Sequence, residues 1–81
     1  MEKIYEVVMN DKVIVKYHGD NPHGAVSFAE GYARALSDLG AMTSTAACQP
    51  IDGYKWWGEH NGKKFVLSVT HEGRIVTGED F

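Results

Sequence analysis

Residues 54–65, YKWWGEHNGKKF, place two tryptophans side by side a few positions before an Asn-Gly pair. Asn61-Gly62 is the pair preferred in a two-residue type I′ turn, so this stretch predicts a β-hairpin. Consecutive side chains of a strand point to opposite faces of the sheet. Trp56 and Trp57 therefore cannot both enter one core, and the register of the hairpin decides which of them is buried.

Counting outward from the turn assigns each tryptophan to a face. The register pairs Trp56 with Leu67 and Trp57 with Val66. Leu67 belongs to an alternating apolar set, 65, 67 and 69, which predicts the face that looks into the core. Trp56 is therefore predicted to be buried. Trp57 is predicted to lie on the opposite face, together with Lys55, Glu59, Lys64 and Val66.

The beginning of the chain predicts a second hairpin, because KIYEVVM (3–9) and VIVKY (13–17) are rich in β-branched and aromatic residues. A three-residue loop, 10–12, sets apolar residues opposite each other: Met9 with Val13, Val7 with Val15 and Tyr5 with Tyr17. The other face then pairs Glu6 with Lys16. A two-residue loop would place Glu6 opposite Val15 on the apolar face, so we prefer the three-residue loop.

The remaining chain predicts one helix and further strands. Asp20-Asn21-Pro22 caps and opens the helix, and Gly40 ends it. One apolar stripe recurs at helical spacing: Ala25, Phe28, Ala29, Tyr32, Ala33, Leu36 and Leu39. Residues 42–49 and 74–77 predict strands. The predicted fold class is α+β, with one helix packed on an antiparallel sheet in the order ββαβββ(β), and residues 1–81 form a single domain.

Composition narrows the classes of function. The 81 residues are 43% hydrophobic and 23% charged and carry a net charge of −3, as in an ordinary globular protein. No basic stripe is present to neutralise a phosphate backbone, which disfavours nucleic-acid binding. No apolar run approaches a membrane span, no secretory signal is evident, and Cys48 is the single cysteine. These features predict a cytoplasmic protein.

The helix-free face of the sheet is the predicted partner-binding surface. An exposed tryptophan among charges is typical of protein interfaces. The residues assigned to this surface are Trp57, Lys55, Glu59, Lys64, Val66, Glu6 and Lys16. In a structural alternative, Trp57 only packs on the stems of Lys55 and Lys64, or lies under the tail that ends in Phe81. Self-association through the same face, giving a homodimer, is a variant of the binding hypothesis.

Other chemistries have weaker support. His18, Asp20 and His23 in YHGDNPHG match no established ligand spacing, so we predict no metal, no cofactor and no enzymatic activity. A small metal-dependent enzyme remains the least favoured alternative. A single-stranded nucleic-acid binder is the stronger one, because Trp57 would stack a base beside lysines 55, 63 and 64.

The overall outline resembles that of small, acidic, cysteine-poor α+β proteins encoded by bacteriophages and mobile elements, anti-CRISPR proteins among them. The likeness rests on the hairpin YEVVMNDKVIVKY, one helix through FAEGYARALSDLG, and the hairpin WWGEHNGKKFVLSV. The resemblance implies inhibition of a host protein or protein–RNA complex by binding. It implies no roles for individual residues, because that group shares no common motif.

Overall fold

The computed structural model describes residues 2–36, 53–60 and 62–81, with residues 59 and 60 described by their backbone alone. Its elements, in chain order, are β1 (Lys3–Met9), β2 (Lys12–Gly19), α1 (His23–Leu36), β3 (Lys55–His60), β4 (Lys63–His71), β5 (Arg74–Ile75) and a 3-10 turn (Gly78–Asp80). The predicted α+β class is confirmed, because one helix packs against one antiparallel sheet. The predicted strand at 42–49, the helix end at Gly40 and Cys48 lie outside the described residues.

The strands are ordered β2-β1-β4-β3, and β5 also pairs with β4. Thr70 of β4 has Glu6 of β1 on one side and Ile75 of β5 on the other. The strand β5 therefore lies on the same edge of β4 as β3. The long strand β4 pairs directly with β1, β3 and β5, while β2 pairs with β1.

The second hairpin has the register predicted from Asn61-Gly62. Trp57 lies opposite Val66, and Trp56 lies opposite Leu67. Gly62 has a φ of 79°, the left-handed conformation that a type I′ turn requires and that glycine adopts without strain. This turn keeps the alternation of side chains in phase through both strands.

The three-residue loop predicted for the first hairpin is wrong. The turn has two residues, Asn10 and Asp11, with φ values of 48° and 68°. A β-bulge at Ile14 then shifts the register between Val7 and Val8. The extra residue restores the predicted pairs Val7–Val15, Tyr5–Tyr17 and Glu6–Lys16. A bulge thus reconciles the tight turn with apolar pairing, which a regular hairpin cannot do.

The helix begins after a capping residue and packs through alanines. The side-chain oxygen of Asn21 accepts a hydrogen bond from the backbone N–H of His23 at 2.9 Å, as predicted for an N-cap. Ala25, Ala29 and Ala33 are fully buried, because their small side chains let the helix approach the sheet closely. The sheet contributes larger buried side chains, those of Tyr5, Val7, Trp56, Phe65, Leu67 and Val69, and Val76, directly after β5, is buried with them.

Hydrogen bonds of Asp80 hold the segment that follows β5. The Arg74 guanidinium donates to both carboxylate oxygens of Asp80, at 3.1 and 2.8 Å. The Thr77 N–H donates to the same carboxylate at 2.7 Å. The Arg74 hydrogen bond, and then the Thr77 hydrogen bond, lower the pKa of Asp80 to about 2. Asp80 therefore anchors this segment to β5.

Candidate functional site

Trp57 is the large aromatic side chain that the hairpin turns away from the core. It is 44% exposed, while its neighbour Trp56 is only 2% exposed. Val66, directly opposite Trp57 on β4, is 41% exposed. The predicted assignment of the two tryptophans to opposite faces is therefore confirmed. The result is an adjacent pair of apolar side chains in water on the helix-free face.

A shallow groove of about 380 Å³ surrounds this pair. Its lining is formed by Lys55, Trp57, Gly58, Lys64, Phe65 and Val66, and we call it the Trp57 groove. The charged residues of this lining are Lys55 and Lys64, and both of their side chains are exposed. Glu59 has its Cα opposite that of Lys64, while its side chain lies outside the described part of the chain. The groove therefore combines an apolar wall with ammonium groups at its rim.

Glu6 and Lys16 lie on the same face but belong to a different cluster. The Lys16 ammonium and the Glu6 carboxylate are 3.8 Å apart, with both side chains partly or largely exposed. Glu6 is opposite Thr70, four residues along β4 from Val66, a separation of about 13 Å along the strand. The structure thus brings together four of the predicted site residues, and it places Glu6 and Lys16 in a separate hollow that is also lined by Glu2, Ile4 and His71.

The C-terminal segment does not cover Trp57. The Phe81 ring lies edge-on to the His23 ring at a centroid distance of 5.2 Å and 5.5 Å from the Tyr54 ring. It therefore packs near the helix start and leaves the opposite face of the sheet uncovered by this segment. The alternative in which the tail buries Trp57 is wrong. Lys55 and Lys64 line the same groove as Trp57, and packing of the indole on their aliphatic stems stays a prediction.

Asn10 supports the groove and was not predicted as a site residue. Its backbone N–H donates to the Val66 carbonyl at 3.0 Å, and its side-chain oxygen accepts from the Val66 N–H at 2.9 Å. Its side-chain amide also reaches the Lys64 carbonyl at 3.5 Å. From the sequence, Asn10 was identifiable only as a turn residue, because its hydrogen-bond partners Lys64 and Val66 lie more than fifty positions away.

The histidines of the strand-to-helix turn point to different partners. The His18 Nδ1 atom is 3.6 Å from a carboxylate oxygen of Glu2, and the His23 ring packs on Phe81. Within residues 2–36, 53–60 and 62–81, no group of three or more His, Cys, Asp or Glu side chains is placed to hold a metal ion. The described geometry offers no support for a metal centre at this turn.

Comparisons with protein-family models, curated proteins and solved structures find no match for this chain. Among the described helices, none is long and apolar enough to cross a bilayer. The Trp57 groove and the chemistry of its side chains are therefore the features of this chain that bear on its function.

Proposed function

We propose that this chain is a non-catalytic binding module that docks a protein partner through the Trp57 groove. In its most concrete form it is a phage-type inhibitor, comparable with anti-CRISPR proteins, that acts in the host cytoplasm on a defence protein or protein–RNA complex. The observation that carries the proposal is the exposure of Trp57 beside the exposed Val66, on a face that the helix and the C-terminal segment leave uncovered.

The exposed indole is a substantial source of binding free energy. A tryptophan side chain presents about 250 Å² at most, so the 44% that is exposed corresponds to about 110 Å². At about 25 cal/mol per Å², its burial by a partner would contribute about 2–3 kcal/mol. Val66 would add to this value. Such a contribution is in the range of the residues that dominate protein interfaces.

The rim residues are suited to a surface that is alternately free and bound. Lys55 and Lys64 keep charge at the edge of the apolar pair and limit non-specific association of the free chain. In a complex, a polar rim around an aromatic anchor excludes water from the centre of the interface. The groove is shallow, which fits a protein surface better than a small substrate that must be enclosed.

Single-stranded nucleic acid is the second candidate ligand. Trp57 would stack a base while the ammonium groups of Lys55 and Lys64, which line the same groove, contact phosphates. The net charge of −3 opposes this ligand, as does Asp11 beside Val66 in the adjoining hollow. A titration with labelled single strands at low and high salt tests it. Salt-sensitive binding at micromolar concentration that Trp57→Ala abolishes would favour the nucleic acid over a protein.

Affinity capture from the source cell or its host, with quantitative mass spectrometry, tests the main proposal. Three baits are compared: the wild-type chain, Trp57→Ala and Phe81→Ala. Phe81 is a matched control, because its ring is 47% exposed and packs near the helix start. We expect a protein, or a complex that keeps its protein after ribonuclease treatment, to be retained by the wild type and Phe81→Ala and lost with Trp57→Ala. Equal retention by all three baits would contradict the proposal.

A further inference from the structure

We infer that Asn10 is a positioning residue that holds the Val66 wall of the Trp57 groove in place. Asn10 lies in the turn of the first hairpin, while Val66 belongs to the second hairpin. The two residues exchange two hydrogen bonds, of 3.0 and 2.9 Å. These bonds join the turn of one hairpin to the strand of the other at the end of the sheet where Trp57 lies.

The geometry shows what the side-chain oxygen of Asn10 contributes at this position. The pairing of β1 with β4 ends at Met9 and Leu67, so Asn10 and Val66 would form the next pair of the ladder. In an antiparallel ladder, the two residues of a hydrogen-bonded pair exchange both N–H···O bonds through their backbones. Asn10 has a φ of 48° because it forms the turn, and its side-chain oxygen accepts the bond from Val66 in place of its own carbonyl. Asn10 thus adopts the left-handed backbone conformation of the turn, and its side chain continues the hydrogen-bond ladder between β1 and β4.

The position of Val66 matters because it borders two hollows. It lines the Trp57 groove on one side. On the other side it lines a hollow of about 290 Å³ together with Val8, Asn10, Asp11 and Ser68. Val66 is therefore the ridge between these hollows, and the two bonds to Asn10 fix its backbone. The role of Asn10 in docking rests on the proposed function. The two hydrogen bonds and their effect on Val66 can be measured without a partner.

Amide hydrogen exchange and nuclear Overhauser effects on the isotope-labelled full chain test the inference. Asn10→Gly keeps a residue that adopts the left-handed turn conformation but removes the side-chain acceptor. Asp11→Gly is the matched control in the same turn, and among the described residues no hydrogen bond joins its side chain to β4. Asn10→Asp retains an acceptor oxygen and serves as the rescue variant.

We expect the Val66 amide to be protected in the wild type and to exchange at least about tenfold faster in Asn10→Gly, because the loss of its acceptor leaves it open to water. Contacts between the Trp57 ring and the Val66 methyl groups should weaken in the same variant. Asp11→Gly should leave both signals unchanged, and Asn10→Asp should keep the exchange rate within about threefold of the wild type.

Three results would overturn the inference. An unprotected Val66 amide in the wild type would remove its basis without any variant. An equal effect of Asp11→Gly would assign the change to a loosened turn. Unchanged contacts between Trp57 and Val66 in Asn10→Gly would show that the bonds do not position the wall. Because no partner is added, these results are independent of whether the Trp57 groove docks one.

Discussion

Truncation of the two adjacent tryptophans should have very different effects on stability. Trp56 is 2% exposed in the core, so Trp56→Ala should cost about 3–5 kcal/mol, as other truncations of buried aromatic residues do. A domain of this size is stable by about 4–12 kcal/mol in total. The substitution would therefore remove a large part of the free energy of unfolding and lower Tm by at least about 12 °C.

Trp57→Ala should be much less destabilising, because 44% of the side chain is already in water. Its main loss is the cross-strand contact with Val66, worth about 0.2–1 kcal/mol. The lower strand propensity of alanine adds up to about 1 kcal/mol. The expected total is about 0.2–2 kcal/mol, so the two substitutions should differ by at least about 1 kcal/mol and by about 3 kcal/mol at the centre of these ranges.

Urea denaturation followed by far-ultraviolet circular dichroism measures both values without depending on tryptophan fluorescence. Trp56→Phe and Trp57→Phe form a milder parallel pair, which preserves the comparison if Trp56→Ala does not fold. A Trp57 variant that loses as much stability as the matching Trp56 variant, or more, would refute the assignment of the two indoles to opposite faces.

Four further substitutions test the packing of the sheet, the helix and the C-terminal segment. Tyr5→Phe removes a buried hydroxyl that has no hydrogen-bond partner among the described residues. The free energy of unfolding should therefore stay equal or rise by up to about 1 kcal/mol. A clear decrease of this free energy in a urea titration would show that the hydroxyl does have a partner. Asp80→Asn removes a carboxylate whose pKa is lowered from 3.8 to about 2 in the folded chain, so its contribution to stability is present above about pH 4 and is lost as the pH falls towards 2. Tm of the variant should therefore depend less on pH across this window than Tm of the wild type. An unchanged dependence would contradict the hydrogen bonds of Asp80 with Arg74 and Thr77. Gly53→Ala should cost at least about 2 kcal/mol in the same titration, because its φ is +106° and the new Cβ would lie 2.5 Å from Ile75. Gly31→Ala in the helix, where no atom of the described residues lies within 4 Å of the new Cβ, should stabilise by about 0.5–1 kcal/mol; the opposite order would refute this packing.

The two hairpins differ in how much of their structure could be predicted from the sequence. Asn61-Gly62 determines one turn type, so the register and the burial of Trp56 followed from local information. The first hairpin turns at Asn10-Asp11, a pair compatible with more than one loop. Its bulge at Ile14 is stabilised by apolar pairing across the whole hairpin, which a residue-by-residue count of a regular ladder does not include.

Only the part of the candidate site that follows from the alternation of side chains within one hairpin could be predicted from the sequence. Alternation along β3 and β4 placed Trp57, Val66 and the flanking lysines on one surface. The separation of Glu6 from this cluster depends on how β1 pairs with β4, a pairing that joins distant segments. The role of Asn10 depends on the same pairing. Contacts of this kind carry no short-range signal in a single sequence.

The most direct test of the central claim is the dissociation constant of the captured partner, measured by titration calorimetry with the purified wild-type chain, Trp57→Ala and Phe81→Ala. If Trp57 anchors the interface, Trp57→Ala should raise Kd by at least about 30-fold, which corresponds to about 2 kcal/mol. Phe81→Ala should remain within about threefold of the wild type. A Trp57→Ala Kd within threefold of the wild type, or an equal effect of Phe81→Ala, would contradict docking through the Trp57 groove.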